Sequence, residues 1–418
     1  MKADPLTLDV EAVRASFPAL GREEDGRPVV FADAPGGTQV PAPVVESMRR
    51  YLTESNANTG GPFSTSAATD ALIAQARRAA ADLLGSDPDE VVFGPNMTTL
   101  AFALSRSLAK ELRPGDQVVV TRLDHDANIA PWLAAAEEAG AAVRWVDVRP
   151  GDCGIDLDSL DAALSPRTRI VAFTLASNAV GTVTPAAAIV RRAHGVGAVA
   201  VADAVHLAPH RPLDVRAMDV DALFCSPYKF FGPHLGIMFG RRELLSRWRP
   251  FKVRPQSDAV PDRWETGTLN HEGLAGLVAA VDYLAGLGRR PVGRGGDRRR
   301  RLVAGMEAVR AYEAHQSVRF LERAAATGGV RLFGVAAPGR AEDRTPTFAL
   351  RVPGRSPRQT AEHLAGRGIF TWDGNYFALA IMQRLGLEGS GGALRVGFCH
   401  YNTLEEVDRV ARELAAIV

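Results

Sequence analysis

Cysteine is scarce in this chain, and its scarcity argues against two kinds of scaffold. The 418 residues contain 3 cysteines, at positions 153, 225 and 399, too few and too widely spaced for a disulfide framework or a zinc cluster. Long hydrophobic runs are missing too. None approaches the roughly 20 residues that span a bilayer, and residues 1–5 do not resemble the start of a signal peptide. We therefore expect a cytoplasmic protein with reduced thiols and no membrane partner.

An excess of charge of one sign is also missing. The sequence has 49 Lys and Arg residues against 48 Asp and Glu residues, a formal net charge of +1. This balance gives no reason to expect nucleic acid as a partner. Basic residues concentrate between residues 285 and 301. That stretch could be an anion-binding patch or a solvated hinge before a helix that begins with arginines, and we favour the hinge.

What the sequence does have is an alternation of short β-branched or aromatic runs with segments of helical spacing, between about residues 85 and 240. Alternation of this kind is typical of a mostly parallel sheet with helices on both faces, in which ligands bind at the carboxyl ends of the strands. Later segments predict a smaller α+β domain. The predicted strands are 91–93, 117–120, 143–146, 170–173, 198–201 and 222–224, followed in the second domain by 347–352 and 394–398.

One lysine follows the last predicted strand of the first group. Lys229 lies among aromatic, small and proline residues in the segment 225–233. An amine beside apolar rings loses hydration, so that its pKa falls and it becomes a nucleophile and base near neutral pH. Asp203 ends the strand before it. An acid at one strand end and a lysine just past the next predict a pyridoxal phosphate site, with Asp203 on the pyridinium nitrogen and Lys229 in the Schiff base.

Three further strand ends carry polar groups. Thr98 opens a helix after the first strand, where free backbone amides suit a phosphate, although a plain helix cap explains it equally well. His125 follows the second strand and could stack on a planar ring. Asn178 follows the fourth and could donate to a ring hydroxyl or a substrate carboxylate. Each signal is weak alone, but their order along five of the six strand ends is specific.

The chain resembles the class V branch of the fold-type-I pyridoxal phosphate enzymes, which contains cysteine desulfurases, selenocysteine lyases and isopenicillin epimerases. The likeness covers nearly the whole chain. It implies an α/β fold in which a large domain holds a mostly parallel seven-stranded sheet between helices. Residues 1–30 would pack with the small domain, 31–288 would form the large domain and 289–418 the small one. The segments that carry the likeness are 31–41, 124–128, 177–181, 203–206, 226–229, 265–268, Arg395 and 401–403.

The resemblance also assigns roles around the cofactor. Lys229 would form the Schiff base, Asp203 would hold the ring nitrogen and His125 would stack on the ring. His206, where the family commonly has glutamine, would face the ring O3′. The residues assigned to the phosphate are Thr98, Ser226 and Tyr228, the last replacing a usual histidine, together with Gly267 and Thr268, which would reach the cofactor of a partner subunit.

Two consequences follow from these assignments. Because Gly267 and Thr268 would complete the partner's site, the protein would be an obligate homodimer. Asn178 and Arg395 would hold the substrate α-carboxylate, Arg395 through a bidentate pair. The implied enzyme acts on an amino acid through an external aldimine.

The largest departure from the family lies at residues 371–377. Desulfurases carry a mobile cysteine there that accepts sulfur as a persulfide, whereas this chain has Phe377 at or near that position and Trp372 where arginine is common. We therefore expect a lyase that cleaves at the substrate β-carbon without persulfide transfer. Transamination, decarboxylative carbon–carbon bond formation and epimerisation stay open as alternatives. Asp373 beside bulky aromatics suggests a substrate larger than cysteine, with an amino group on its side chain.

A metal-dependent hydrolase is the alternative from another class. Asp203, His206 and His210 have a spacing that could bind zinc on one face of a helix. Pro209 lies within that spacing and would disrupt the helix. A non-catalytic scaffold is a further possibility, but the chain keeps residues for both ends of the cofactor.

Overall fold

The computed structural model describes residues 8–288 and 296–418. Residues 1–7, and residues 289–295 within the hinge predicted at 285–301, lie outside the described residues. The strands, in chain order, are Glu23–Glu24 (β1), Arg27–Pro28 (β2), Val30–Phe31 (β3), Val91–Gly94 (β4), Gln117–Thr121 (β5), Ala142–Val146 (β6), Thr168–Thr174 (β7), Val199–Asp203 (β8), Ala222–Cys225 (β9), Gly236–Gly240 (β10), Arg331–Phe333 (β11), Thr347–Arg351 (β12), Ile369–Phe370 (β13), Trp372–Gly374 (β14) and Ala393–Gly397 (β15).

Helices surround these strands, and within the described residues none is both long and apolar enough to cross a membrane. Their bounds are Val10–Arg14 (α1), Ala42–Arg50 (α2), Ser64–Leu84 (α3), Met97–Ala109 (α4), Ala130–Ala139 (α5), Leu157–Ala163 (α6), Ala186–Gly195 (α7), Val215–Met218 (α8), Arg242–Arg247 (α9), His271–Leu287 (α10), Arg298–Thr327 (α11), Pro357–Ala365 (α12), Leu379–Arg384 (α13) and Leu404–Ala415 (α14).

The large sheet has seven strands in the order β4-β10-β9-β8-β7-β5-β6, which confirms the predicted fold class. Neighbours from β9 to β6 pair in parallel, and β10 pairs antiparallel with both β4 and β9. The six predicted strands all form. The sequence patterns missed β10, which lies between β4 and β9 with every residue buried.

The sheet is covered on both faces, which explains its nearly continuous apolar strands. Successive side chains of a strand point to opposite faces. In β5, Val118 and Val120 accordingly belong to one apolar core and Val119 to the other. Helices α3 and α10 contribute Ala76 and Leu277 to the core that contains Val119. The strands are apolar because both faces of the sheet are buried. The polar residues that follow them lie at the carboxyl edge of the large sheet.

A second sheet, of order β11-β12-β15-β14, is antiparallel. Its core is aromatic, with Phe320 of α11 packed against Phe348 at a ring distance of 4.3 Å and against Phe398 at 5.7 Å. Near the N-terminus, β3 pairs in parallel with β13, so the start of the chain joins the later residues. The domain bounds drawn at 30 and 288 stay predictions. Helix α11 begins at Arg298, in the arginine-rich stretch.

Candidate active site

A cavity of about 1050 Å³ lies at the carboxyl edge of the large sheet, where it meets the second sheet. Most of the side chains singled out from the sequence meet there, although they come from distant parts of the chain. The sequence-predicted residues that line the cavity are Thr98, His125, Asn178, Asp203, His206, Tyr228, Lys229, Trp372, Asp373 and Arg395. Ser226, Gly267 and Thr268 are not among the described residues that line it.

Lys229 ends a short 3₁₀ turn, Pro227–Lys229, that follows β9. Its Nζ donates a hydrogen bond to the backbone oxygen of Pro35 and lies 4.8 Å from the ring centre of Tyr228. Burial and, to a smaller extent, the nearby Arg395 cation lower the pKa of this amine to about 7, although Asp203 and Asp33 act in the opposite direction. A large fraction of the amine is therefore neutral at physiological pH and able to act as nucleophile or base.

Asp203 is the last residue of β8, and its Oδ1 accepts a hydrogen bond from Val205 N at 2.8 Å. Burial raises the pKa of the carboxyl to about 6, whereas the Val205 bond and the nearby Lys229 lower it. A buried carboxylate gains stability when a cation reaches it. Asp203 therefore suits a protonated ring nitrogen, as the sequence predicts.

His125 lies in a loop held by a buried polar network. Asp124 accepts a hydrogen bond from Asn128 Nδ2 at 2.7 Å, and Trp132 Nε1 donates to Asn128 Oδ1 at 3.2 Å. His125 Nδ1 accepts from Ala127 N at 3.0 Å, and burial lowers the pKa of the imidazole to about 4. The ring is therefore neutral at pH 7, which suits its predicted stacking on an aromatic cofactor.

The ring of Phe377 lies against His125, with centroids 5.6 Å apart and planes at 26°. The sequence predicts that His125 stacks on a cofactor ring, and the structure adds Phe377 as a second aromatic beside it. Phe377 is 72% exposed, at the mouth of the cavity. That Phe377 stands at or near the position of the desulfurase cysteine stays a prediction from the resemblance.

The start of helix α4 and nearby hydroxyl groups could together bind an anion. Thr98 lies in the first turn of α4, and Asn96 caps that helix by accepting from Thr99 N at 2.8 Å. Ser226 Oγ is buried and has no hydrogen-bond partner among the residues described. Ser226 is not among the described residues that line the cavity, so its role at the phosphate stays a prediction. The start of α4 with Thr98 offers an anion site at the cavity, and together with Lys229 and Asp203 it fits pyridoxal 5′-phosphate.

Arg395 of β15 is buried beside Asn178. Its Nη1 donates to Asn178 O at 2.9 Å, and its guanidinium lies 4.3 Å from the ring centre of Tyr376. Burial lowers the pKa of Arg395 to about 10, so it stays cationic at pH 7. Its Nε finds no hydrogen-bond partner within residues 8–288 and 296–418. A buried cation with a free donor is suited to a substrate carboxylate.

Asn178 is partly engaged by the loop that faces it. Its Nδ2 donates one of its two N–H groups to Tyr376 O at 3.0 Å, while its Oδ1 is buried and unpaired in the part of the chain that the structure describes. The amide therefore keeps one donor and one acceptor, and its role as a donor to cofactor or substrate stays a prediction. The sequence could not show the contact with Tyr376, which lies 198 residues away.

The loop that carries Tyr376 and Phe377 is fastened on several sides. Both residues have a φ of 56°, in the left-handed region that side chains with a Cβ seldom adopt. Asp126 N donates to Phe377 O at 2.7 Å, and Asn375 Nδ2 donates to Glu388 Oε1 at 3.0 Å. The Tyr376 hydroxyl donates to Ala393 O. These contacts hold the loop in place.

Trp372 and Asp373 form a wall of the cavity. A Cβ on Gly36 would lie 2.5 Å from Trp372 Nε1, so a side chain at that position would force the indole to move. The Asp373 carboxylate forms an ion pair with Arg358 Nε at 3.2 Å. The hypothesis that Asp373 binds a substrate amino group therefore meets a competing cation, although Arg358 is exposed and its pair with Asp373 is partly solvated.

Asp33 is a buried carboxyl group near the site that sequence reasoning missed, although it is not among the described residues that line the cavity. Burial raises the pKa of its carboxyl to about 6, and Arg395 and Lys229 lower it, so it lies near both cations. Its Oδ1 is buried without a hydrogen-bond partner in the described ranges. The segment 31–41 was a signal, but nothing in it singled out this carboxylate.

The metal-binding alternative is not supported by the geometry. His206 Nε2 lies 3.0 Å from Thr345 Oγ1, and His210 Nδ1 lies 2.8 Å from Glu313 Oε2. The two histidines thus have partners of their own. In the part of the chain that the structure describes, no group of three or more His, Cys, Asp or Glu side chains could hold a metal ion.

The cysteines lie away from the cavity lining, in the buried interior, and none forms a disulfide within the described residues. Burial raises the pKa of the Cys153 thiol to about 11, and it raises the pKa values of Cys225 and Cys399 as well. A buried thiol with a raised pKa is a poor nucleophile.

Comparisons with known proteins identify the family of this chain. The family described as "Aminotransferase class-V" matches residues 30–410. The chain is 32% identical over 431 residues to a cysteine desulfurase of Synechococcus elongatus, covering 99% of this chain and 64% of that relative. It is also 32% identical over 415 residues to an uncharacterized protein of Mycobacterium tuberculosis, covering 99% of this chain and 100% of the relative.

A solved structure is similar over the same span. The cysteine desulfurase CsdA of Escherichia coli has 26% sequence identity to this chain and a TM-score of 0.84, covering 99% of this chain and 100% of that one. The likeness therefore extends over both sheets.

Proposed function

Since this chain belongs to the class V aminotransferase family and is a pyridoxal 5′-phosphate-dependent enzyme, we propose that it is a lyase acting on an amino acid. It cleaves a bond at the substrate β-carbon, a carbon–sulfur bond or one to another leaving group. The leaving group departs without forming a persulfide on the protein. Relatives named cysteine desulfurase support cleavage at that carbon.

One observation carries the proposal. Phe377 lies at the cavity mouth, against His125, in the loop where the desulfurase resemblance places a cysteine. The three thiols of the chain are buried, and each has a raised pKa. An acceptor of sulfur must be a thiolate that the substrate can reach. This arrangement favours release of the leaving group into solution over its transfer to a thiol of the protein.

The chain's own residues account for the steps around the substrate. The bound cofactor supplies the electron sink that makes a proton on the substrate Cα acidic. Arg395 binds the α-carboxylate, and Asp203 holds a proton at the ring nitrogen. Lys229 Nζ removes the Cα proton, and the bond from the β-carbon breaks with its electron pair leaving on the departing group. The unsaturated product takes up water and yields a 2-oxo acid and ammonium.

Product analysis of the holoenzyme tests the proposal. We expect that, in a panel of β-substituted amino acids that includes cysteine, at least one yields 2-oxo acid, ammonium and free leaving group in equal amounts. The intact mass of the chain should stay unchanged during turnover, since no sulfur remains on it. Phe377→Cys places a thiol in the loop and provides the comparison: with a sulfur substrate it should gain mass as a persulfide.

Other outcomes identify the alternatives. Transfer of the substrate amino group to an added 2-oxo acid, which forms a new amino acid, would show transamination. Release of carbon dioxide, or inversion at Cα without release of a group, would show decarboxylation or epimerisation. Each of these results without equal amounts of oxo acid and leaving group contradicts the lyase proposal.

We further propose that the enzyme works as a homodimer. Gly267 and Thr268 are exposed and lie outside the set of described residues that line this chain's own cavity, as expected of groups that complete a partner's site. Analytical ultracentrifugation should give twice the chain mass of 44.6 kDa. A species of 44.6 kDa that retains full activity would contradict the dimer.

The free thiols support a reducing cytoplasmic location, which cell fractionation would test.

A further inference from the structure

Thr345 contacts the side chain of His206, which lines the active-site cavity. Its Oγ1 lies 3.0 Å from Nε2 of His206, and both side chains are buried. His206 lines the cavity, whereas Thr345 lies behind it, outside the described residues that form the lining. Thr345 precedes β12 of the second sheet, and His206 follows β8 of the large sheet. A hydroxyl from one part of the fold therefore contacts a cofactor-facing ring from another.

The hydrogen bonds around this hydroxyl favour one tautomer of His206. A threonine hydroxyl has one proton to donate and can also accept. Gly181 O accepts from Thr345 Oγ1 at 3.3 Å, which leaves Oγ1 free to accept from a protonated His206 Nε2. The reverse arrangement, in which the hydroxyl donates to Nε2, makes one hydrogen bond instead of two. The first arrangement therefore satisfies more buried groups.

The charges that face His206 keep it neutral. Burial lowers the pKa of its imidazole well below the ordinary value, and His210, Lys229 and Arg395 all lower it further. The His210 ring stands edge-to-face to it, with centroids 5.2 Å apart. His210 itself pairs with Glu313, and Asp203 lines the same cavity. A neutral imidazole has one donor and one acceptor nitrogen, so fixing the donor also fixes the acceptor.

We propose that Thr345 is a positioning residue that holds His206 as the Nε2-protonated tautomer, leaving Nδ1 as a hydrogen-bond acceptor toward the cofactor. An acceptor favours the protonated form of the group that it meets, whereas a donor favours the deprotonated form. Thr345 thus sets the proton affinity of the bound cofactor from outside the cavity. The inference rests on cofactor binding alone, and it holds whichever substrate bond is cleaved.

A pH titration of the holoenzyme's visible absorbance tests this role. In Thr345→Val the Nε2 proton loses its buried acceptor, so we expect the proton to move to Nδ1, which then donates to the cofactor. The midpoint of the absorbance transition should fall by about one pH unit, which corresponds to about 1.4 kcal/mol, close to the size of one hydrogen bond. This readout needs no substrate, so it is independent of the lyase proposal.

Two variants provide the controls. Thr347 lies two residues away, and its buried Oγ1 has no hydrogen-bond partner in the described residues, so Thr347→Val should leave the midpoint unchanged. Thr345→Ser keeps the hydroxyl and should behave as the wild type. A Thr345→Val midpoint that equals that of Thr347→Val, or that rises, would overturn the proposal.

A second measurement covers the case in which Thr345→Val does not fold. Nitrogen-15 NMR of histidine-labelled wild-type holoenzyme reports which ring nitrogen carries the proton, and the His206 signals are those missing in His206→Gln. We expect a protonated Nε2 and a bare Nδ1. A protonated Nδ1 contradicts the assignment.

Discussion

The Lys229→Ala holoenzyme is expected to lose turnover by a factor on the order of 10⁴, together with the visible absorbance of the covalently attached cofactor. In the proposed mechanism one amine carries both effects, because Lys229 Nζ would form the link to the cofactor and would also move the Cα proton. Its pKa of about 7 suits both tasks. The measurement is kcat on the best substrate of the panel, with an absorbance spectrum of the purified protein.

Lys110→Ala is the matched control. Its Nζ donates to Arg249 O at 2.8 Å and lies 3.8 Å from the ring centre of Phe251, so it is engaged on the surface and not in the cavity. That variant should keep both the spectrum and kcat. If Lys229→Ala kept the spectrum and more than a small fraction of kcat, the Schiff-base assignment would be wrong.

Arg395→Lys should lower kcat/KM by a factor of about 10 to 10², mostly through a higher KM. A hydrogen bond to a charged group contributes about 1.5–3 kcal/mol, and each 1.4 kcal/mol is a factor of about ten. Lysine keeps the positive charge but loses the planar pair of donors that fits a carboxylate. Steady-state kinetics of the holoenzyme with a fixed amino acid measures this split.

Arg351→Lys is the comparison on the neighbouring strand β12. Arg351 Nε donates to Gly392 O at 2.7 Å, and Arg351 is not among the described residues that line the cavity. Its substitution should leave KM unchanged. An unchanged KM in Arg395→Lys would instead mean that the substrate carboxylate binds elsewhere.

Local sequence patterns were enough to predict the six strands whose apolar runs follow one another with helices between them. The sequence could not predict β10, because its antiparallel place between β4 and β9 depends on pairing across the sheet. The same holds for β14, whose partner β15 begins some twenty residues later. Spatial order is a long-range property, and strand composition carries little of it.

The site residues also divide into those that local sequence predicts and those that depend on contacts between distant parts of the chain. The places of Asp203 and Lys229 at the cavity were predictable because Asp203 ends one strand and Lys229 ends the short turn after the next, and strand ends meet at one edge. Asp33 and Thr345 were missed because their importance comes from neighbours that lie far away in sequence, as with the 139 residues between His206 and Thr345. The phosphate role of Ser226 and the partner-facing role of Thr268 stay predictions.

The most direct test of the account follows the leaving group during turnover of a sulfur-containing substrate by the wild-type holoenzyme. The account predicts free sulfide or thiol in solution in equal amount to the 2-oxo acid, with the intact mass of the chain unchanged at every time point. A chain that gains the mass of sulfur on Cys153, Cys225 or Cys399 before sulfur appears in solution would contradict it.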